Sequence, residues 1–359
     1  MKYIVIFFTS FLCFSQTNLQ KTWSTYYFGN SSNLIDSVVD NDGNVVVVGF
    51  VRLPENFDYY NQFTTVNCYQ KNIYSANTNF KTEGFVAKFS PLGLLLWSSY
   101  FGGEGTDGIT KITVDNNNNY YFVGNTMSYN NIATQGSYIS SLSSINITTG
   151  FLAKFSSSGN RLWCTYIPGN ISDLKFYNNA LYLGGQTITK TNLATSGVYN
   201  ETLINYDSSY IYGNNYYPYV MKFDLQGNRL FGTYLDKTCP VDTTFDQAFT
   251  INFDSFSNLI VTFNLSNINL SSITTPSCHQ SNFGGGNYDG FIMKLSADFT
   301  QKIWGTYFGG SGDDLIKDVK ITGDDIYIVG YTKSVNNIST LNSFQPNITN
   351  TSLIEGFYN

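Results

Sequence analysis

The chain has 359 residues, of which 17% are aromatic and only 12% charged, so it can bury a large core and is not intrinsically disordered. A formal net charge of −6 and the absence of Lys/Arg runs exclude nucleic acid and polyanionic membrane surfaces as expected partners. The length suits two average domains or one large all-β domain.

The chain begins MKYIVIFFTSFLCFSQ, which has the features of a secretory signal peptide over residues 1–15. Lys2 precedes an apolar run that ends at Phe14, and Ser15 is a small residue directly before the predicted cut. The run is too short to span a bilayer, and no other long apolar run follows. We therefore expect a secreted or outer-surface protein with no transmembrane segment in the mature chain.

An aromatic phrase recurs along the chain at intervals of roughly 70 residues, which is the signature of a repeat architecture. Its copies are WSTYYFGN from Trp23, WSSYFGGEGTD from Trp97, WCTYIPGN from Trp163, FGTYLDK from Phe231 and WGTYFGGSGDD from Trp304. The glycines of the last copy do not indicate a phosphate loop, because neither a Lys nor a helix pattern follows them.

Other segments repeat in the same phase. GFVAKFS from Gly84 returns as GFLAKFS from Gly150, YVMKFDL from Tyr219 and GFIMKLS from Gly290. Hairpins over polar turns, such as DNNNN from Asp115, complete each unit. The pattern predicts four-stranded units over about 34–102, 108–168, 171–235 and 246–309, a partial unit over 315–359, and an outer strand over 19–30.

Serial four-stranded antiparallel units predict an all-β chain folded as β-propeller blades. A stacked β-solenoid is the alternative, but its coils are shorter and lack a four-strand meander. Two arrangements are open. The N-terminal strand completes the last blade and closes a five-bladed ring, which would remove open sheet edges. Otherwise the chain is a fragment of a larger propeller, and a C-terminal sorting domain could follow.

The segments Gly84–Thr126 and Gly290–Thr332 resemble the SBBP repeat, a seven-bladed β-propeller repeat of secreted bacterial proteins. The resemblance covers nearly all of the chain after Gln20 and weakens over Cys164–Gln186 and Phe231–Asn264. It implies a propeller scaffold and export. It implies no defined catalytic activity and therefore no catalytic residues.

Long polar insertions separate strands two and three of each unit, over 51–83, 127–149, 187–218, 266–289 and 333–355. In an up-and-down blade these 2–3 connections lie at the same end as the 4–1 turns, and variable loops on a rigid scaffold commonly bind ligands. Their Tyr, Asn, Ser and Thr residues suit a glycan or a surface protein. The recurring phrases NIATQGSY, NLATSGVY and NISTLNSF favour a structural role for part of each connection.

Three aspartates share one position just before strand one of their units: Asp107, Asp246 and Asp314. Ser32 takes this position in the first unit. One hypothesis is a ligand or cation site near the central channel, with Ca²⁺ as the candidate ion because it prefers hard oxygen ligands. The favoured hypothesis is turn capping, in which Asp accepts backbone N–H groups. No other cofactor is expected.

Four cysteines remain beyond the signal peptide, and export permits disulfides. Cys239 and Cys278 fall at the same end of one unit, so we predict a disulfide between them. Cys164 falls in an outer strand and is expected to be buried. None of the cysteines has the spacing of a metal site.

Together these features predict an exported, non-catalytic β-propeller that acts as a binding or structural scaffold through its 2–3 connections. The alternative is a propeller glycoside hydrolase or lyase that uses carboxylates near the central channel. His279 is the only histidine in the sequence, so a Ser-His-Asp or Cys-His catalytic mechanism is not expected.

Overall fold

The computed structural model describes residues 22–27, 32–52, 64–74, 81–142, 148–203, 216–236, 249–266, 273–347 and 355–358. Within these ranges the chain contains strands and turns but no helix, which confirms the predicted all-β class. The predicted signal peptide lies outside the described residues.

In the described ranges, nineteen strands form five antiparallel sheets, one after another along the chain. The first blade comprises β1 (Ser32–Val39), β2 (Val45–Arg52), β3 (Thr82–Phe89) and β4 (Leu95–Phe101), and the second comprises β5 (Asp107–Val114), β6 (Tyr120–Thr126), β7 (Thr149–Phe155) and β8 (Arg161–Ile167). The third comprises β9 (Asn170–Tyr177), β10 (Ala180–Thr187), β11 (Tyr217–Phe223) and β12 (Arg229–Tyr234). The fourth comprises β13 (Thr250–Phe253), β14 (Leu259–Ser266), β15 (Tyr288–Leu295) and β16 (Lys302–Phe308), and the fifth β17 (Asp314–Thr322), β18 (Asp325–Thr332) and β19 (Glu355–Tyr358).

Each strand pairs with the next one in sequence, so every sheet is an up-and-down meander, the arrangement of a propeller blade. The first four sheets have four strands and the fifth has three among the described residues. The predicted fold class, β-propeller blades in series, is therefore confirmed.

In the first, second and fourth blades an aspartate closes the hairpin turn between the first two strands. In the turn between β5 and β6, Asp115 Oδ1 accepts the backbone N–H groups of Asn117 and Asn119, both at 2.9 Å. Asn118 adopts a left-handed conformation with φ of 58°, which Asn tolerates better than most residues. The DNDGN turn of residues 40–44, between β1 and β2, matches it, because Asp40 Oδ1 accepts the Asn44 N–H at 2.9 Å.

The hydrophobic core is divided among the joints between consecutive blades. Phe101 of the first blade packs against Phe122 and Phe151 of the second, with ring centroids 5.2 and 4.8 Å apart. Tyr121 and Ile171 belong to the cluster that joins the second and third blades. Each blade is therefore stabilised chiefly by its neighbours, as expected for a repeat protein.

A β-bulge interrupts the simple alternation of the two faces of β5. The register shifts between Ile109 and Lys111, so Ile109 and Ile112 are both buried although strict alternation places them on opposite faces. Strands β1 and β17 carry the same shift, next to Asp36 and Asp318.

Residues 22–27 form no strand, and the rest of the outer strand predicted over 19–30 lies outside the described residues. The side chains of this segment still pack against the first blade. The rings of Trp23 and Tyr27 lie 6.2 and 5.2 Å from that of Phe89. The segment thus contributes its aromatic contacts without a described strand partner.

Candidate functional site

The 2–3 connections and the 4–1 turns meet at one end of the blades, as predicted. In the second blade, Gly103 and Gly105 of the 4–1 turn lie against the start of the 2–3 connection. A Cβ at residue 103 would stand 2.3 Å from the carbonyl oxygen of Asn130, and one at residue 105 would stand 2.5 Å from the backbone of Met127. This end, termed here the loop face, contains all the predicted site residues that the structure describes.

Asp107 closes the turn that enters β5 and is fully buried. Its Oδ2 accepts the Gly103 N–H and the Ser128 hydroxyl, both at 2.8 Å, and its Oδ1 accepts the Thr126 hydroxyl. Ser128 in turn accepts the Gly105 N–H at 2.7 Å. The carboxylate therefore fixes the whole 4–1 turn.

Asp314 repeats this arrangement at the fifth blade and is also fully buried. Its Oδ2 accepts the Gly310 N–H at 2.7 Å and the Ser334 hydroxyl at 2.6 Å, and Thr332 forms a further side-chain hydrogen bond. Both aspartates thus cap turns in the way the favoured hypothesis describes.

Asp246, the third predicted site residue, lies outside the described residues. Among the residues that are described, no group of three or more His, Cys, Asp or Glu side chains is arranged to hold a metal ion. The structure therefore brings Asp107 and Asp314 into equivalent positions in different blades but not into one common site.

Each capping aspartate faces a second buried carboxyl group that sequence reasoning missed. Glu83, at the start of β3, faces Asp107 across the joint between the first and second blades, and Asp289 in β15 faces Asp314 across the joint between the fourth and fifth. A signal was present in the sequence, because an acidic residue precedes Gly-Phe at both places. Glu83 and Asp289 are fully buried.

Glycines of the 4–1 turns allow the carboxyl groups to come together. A Cβ at residue 102 would stand 2.6 Å from Asp107 Oδ2 and 2.7 Å from Glu83 Oε1, so only glycine fits over the pair. At the other joint, a Cβ at residue 309 would contact the Asp289 carboxyl group directly. The first glycine of each repeated Gly-Gly therefore packs directly against a pair of buried carboxyl groups.

Burial raises the pKa of all four carboxyl groups, because it disfavours the charged form. The pKa of Glu83 rises to about 9 through burial and the nearby Asp107. The pKa of Asp289 rises to about 7 through burial, with Asp314 and Asp313 adding to the shift. Hydrogen bonds from the turn oppose the rise at Asp107 and Asp314.

The 2–3 connections run along the outer strands of their own blades. Thr134 N–H donates to Cys164 O at 2.8 Å, and Tyr166 N–H donates to Ile139 O at 3.0 Å. The same pattern recurs in three other blades, and we term these stretches the edge segments: residues 65–70, 134–139, 195–200 and 275–280. They cover the exposed edge of each outer strand, which explains the recurring phrases as structural.

An aromatic residue in an edge segment joins it to the next blade. The guanidinium of Arg161 lies over the Tyr69 ring at 4.7 Å, and Arg229 lies over Tyr138 at 4.9 Å. Arg161 also donates to the carbonyl of Ile132 at 2.8 Å, and Arg229 to that of Leu193 at 2.9 Å. Each arginine therefore holds its own connection and the preceding blade together.

The edge segment of the first blade also reaches the buried acidic pair. Gln70 Nε2 donates to Glu83 Oε1 at 2.5 Å, and its Oε1 accepts the Gly102 N–H at 3.0 Å. In the fourth blade Gln280 accepts the Gly309 N–H at 3.0 Å. The loop face and the acidic pairs are thus one connected hydrogen-bonded structure.

Of the cysteines, Cys164 is fully buried in the outer strand β8, as expected. Cys278 is half-buried in an edge segment. Cys239 lies outside the described residues, so the disulfide between Cys239 and Cys278 stays a prediction.

No protein family model matches the sequence. A segment covering 35% of the chain is 34% identical over 136 residues to an uncharacterised WD repeat-containing protein, L264, of Acanthamoeba polyphaga mimivirus. That segment spans 9% of the viral protein. The name of this relative is consistent with blades of a propeller.

Solved structures of Synechocystis apocarotenoid oxygenase are also similar to the chain, at 10% identity and a TM-score of 0.38 for the Glu150Asp mutant. The alignment covers 85% of this chain and 57% of that enzyme. An ACO/RPE65 chimera aligns at 10% identity with a TM-score of 0.37. Such scores carry no conclusion about function. Among the described residues no helix is long and apolar enough to cross a membrane.

Proposed function

We propose that this protein is an exported β-propeller scaffold, of the SBBP repeat type, that binds its ligand without catalysis through the loop face. The observation that carries the proposal is the exposure of aromatic and apolar side chains on connections that are anchored to the blades. Within the connections, Tyr74 is 54% exposed and Tyr129 46% exposed. Exposed side chains on an ordered frame favour binding, because little conformational entropy is lost when a ligand binds.

Tyr129 illustrates this anchoring. Glu104 of the 4–1 turn accepts the backbone N–H groups of Tyr129 and Asn130 at 3.0 and 3.2 Å. Lys81 of the preceding blade donates to the carbonyl of Glu104 at 2.6 Å. The backbone that carries the Tyr129 ring is therefore held in place, beside the amide of Asn130 and the carboxylate of Glu104.

A glycan is the ligand class that fits this chemistry best. A tyrosine ring offers an apolar face and a hydroxyl, and neighbouring Asn and Ser side chains supply adaptable hydrogen bonds. The net charge of −6 favours a neutral or cationic ligand over a polyanion. A surface protein with similar polar chemistry is the second candidate of the same binding class.

The alternative, a glycoside hydrolase or lyase, needs two carboxyl groups that reach a substrate. Asp107 and Asp314 are fully buried beneath the glycines of their turns and accept hydrogen bonds from them. This burial favours a structural role for the aspartates over a catalytic one. Export is proposed from the N-terminal sequence, and the protein is placed by this proposal in the medium or at the outer cell surface.

A glycan array with the purified protein tests the proposal. Binding is expected, and the Tyr129→Ala variant should lose at least about tenfold in affinity, the equivalent of 1.4 kcal/mol. Phe256→Ala is the matched control, because Phe256 is 76% exposed in a 1–2 hairpin at the opposite end of the blades. Absence of any glycan or surface-protein ligand would overturn the proposal, as would turnover of aryl-glycosides that one carboxylate variant abolishes.

A further inference from the structure

Two of the blade joints contain a pair of buried carboxyl groups. Glu83 and Asp107 form the first pair, and Asp289 and Asp314 form the second. In the described part of the chain, no Lys, Arg or His side chain forms an ion pair with any of these four groups. All four side chains are fully buried.

The hydrogen bonds within each pair are unequal. Asp107 accepts hydrogen bonds from Gly103, Ser128 and Thr126, as an ionised carboxylate requires. Glu83 accepts from Gln70 at Oε1, but its Oε2 has no partner. One group of the pair is thus surrounded by donors, and the other has an oxygen without one.

The second pair shows the same imbalance. Asp314 Oδ2 accepts from Gly310 and Ser334, and Asp289 Oδ2 accepts from Gly284 at 2.5 Å. Asp289 Oδ1 is buried without a partner. A buried polar atom without a hydrogen bond is costly, so this oxygen needs a proton or a ligand.

The charged side chains around the pairs form their hydrogen bonds and ion pairs elsewhere, although Lys81 lies near enough to Glu83 to oppose part of the rise in its pKa. Lys81 donates to the Glu104 carbonyl at 2.6 Å, and Glu104 accepts from the Tyr129 and Asn130 backbone. At the second joint, Lys333 binds Asp313 at 2.8 Å. Asp313 is the remaining charged group that faces this pair. Its negative charge disfavours ionisation of Asp289.

We propose that each of these two joints holds one proton between its two carboxyl groups, so that contact between the blades depends on pH. In each pair the neutral acid, Glu83 or Asp289, donates its O–H toward the carboxylate of Asp107 or Asp314. Loss of that proton places two like charges in one buried site, and their repulsion loosens the joint.

The direction of the pH dependence follows from the raised pKa values of Asp289 and Glu83. The pKa of Asp289 rises from 3.8 to about 7 and that of Glu83 from 4.5 to about 9, so the folded state holds a proton that the unfolded chain releases. The stabilisation is complete below the unfolded pKa values. It is lost as the pH rises, through about 7 at the Asp289 joint and about 9 at the Glu83 joint.

Thermal unfolding of the full chain between about pH 5 and about pH 9 tests the proposal. The Asp289→Asn and Glu83→Gln variants keep a neutral group of the same shape at each joint. We expect the melting temperature of each variant to fall less over this range than that of the unmodified protein, by a few degrees. Asp324→Asn is the control, because Asp324 is exposed in a hairpin turn and should leave the fall unchanged.

Two results would overturn the proposal. One is an identical fall for the unmodified protein and both variants. The other is a rise in melting temperature with Ca²⁺ or Na⁺ at neutral pH that Asp289→Asn abolishes, because the pair would then hold a cation instead of a proton. If a variant does not fold, infrared difference spectra of the unmodified protein decide the matter, since protonated carboxyl bands must be present near pH 6. Their absence would contradict the proposal.

Discussion

Trp97 and Gly159 touch across the joint between the first and second blades. A Cβ at residue 159 would stand 2.7 Å from Cδ2 of the indole, and the indole N–H donates to the carbonyl of Ser157 at 3.0 Å. The same relationship joins Trp163 to Gly227 one blade further along. The tryptophan of the recurring phrase is therefore a contact between blades, and the glycine of the next blade is its matching surface.

Gly159→Ala should destabilise the protein strongly. The residue has a φ of 83°, where a Cβ costs about 1–2 kcal/mol, and the clash with Trp97 adds about 1–3 kcal/mol. Gly136→Ala is the matched control, because Gly136 has a φ of 78° but no atom within 4 Å of the added Cβ. Denaturant unfolding should show the larger loss for Gly159→Ala. Equal losses would mean that the indole moves aside at no cost.

The aspartates that cap the 1–2 hairpin turns should make the protein less stable as the pH falls. The carboxyl pairs should instead make it less stable as the pH rises. Although burial raises the pKa of Asp40, hydrogen bonds from Asn44, Tyr120 and Lys88 outweigh it and hold this pKa below its usual range. Because the folded pKa is depressed, the stabilisation is present above the unfolded pKa of about 3.8 and is lost as the pH falls. Melting temperatures should therefore decline below about pH 4.

Asp40→Asn should reduce this acid dependence and cost about 3 kcal/mol at neutral pH, since it leaves Lys88 without its partner at 3.0 Å. Asp324→Asn is the control, because Asp324 lies exposed in the hairpin turn between β17 and β18. A variant that keeps the full stability of the unmodified protein at neutral pH would show that the buried ion pair contributes nothing net.

The blade pattern was predictable because it depends on local rules that repeat. Turn residues such as Asp115 and Asn118 dictate a hairpin by their own backbone preferences, and the apolar strands between them have to bury their faces. Turn capping by Asp107 and Asp314 was predictable for the same reason, since the backbone donors Gly103 and Gly310 belong to the turn that follows each outer strand.

The remaining features depend on contacts between blades, which one sequence does not display. Glu83 meets Asp107 because β3 and β5, which belong to different blades, lie side by side. The residues of neither strand indicate that the other strand will be its neighbour. The bulge beside Lys111 shifts the buried face of β5 because that strand packs against the first blade. The edge segments look like polar loops until the outer strand beside them is known.

Arg161→Ala should loosen the 2–3 connection of the second blade without unfolding the blade. The guanidinium donates to the carbonyls of Asn131 and Ile132 at 3.1 and 2.8 Å, and such charged hydrogen bonds contribute about 1.5–3 kcal/mol. Hydrogen exchange should therefore accelerate over residues 131–139. The exposed Arg52→Ala is the control and should leave this region unchanged. Exchange that accelerates equally throughout the chain would instead indicate a global loss of stability.

The thiol of Cys164 should resist alkylation until the protein unfolds. Burial raises its pKa to about 12, and the reactive thiolate is therefore scarce as well as inaccessible at neutral pH. Cys68, which is half-buried, serves as the internal control and should be labelled in the native protein. Mass mapping after native labelling, followed by labelling in denaturant, distinguishes the buried thiol of Cys164 from the accessible thiol of Cys68.

The same map without reductant tests the predicted bond between Cys239 and Cys278, because a disulfide leaves both unlabelled in denaturant. Rapid native labelling of Cys164 would contradict its packed position in β8, and alkylation of Cys278 and Cys239 in denaturant without reductant would rule out the disulfide.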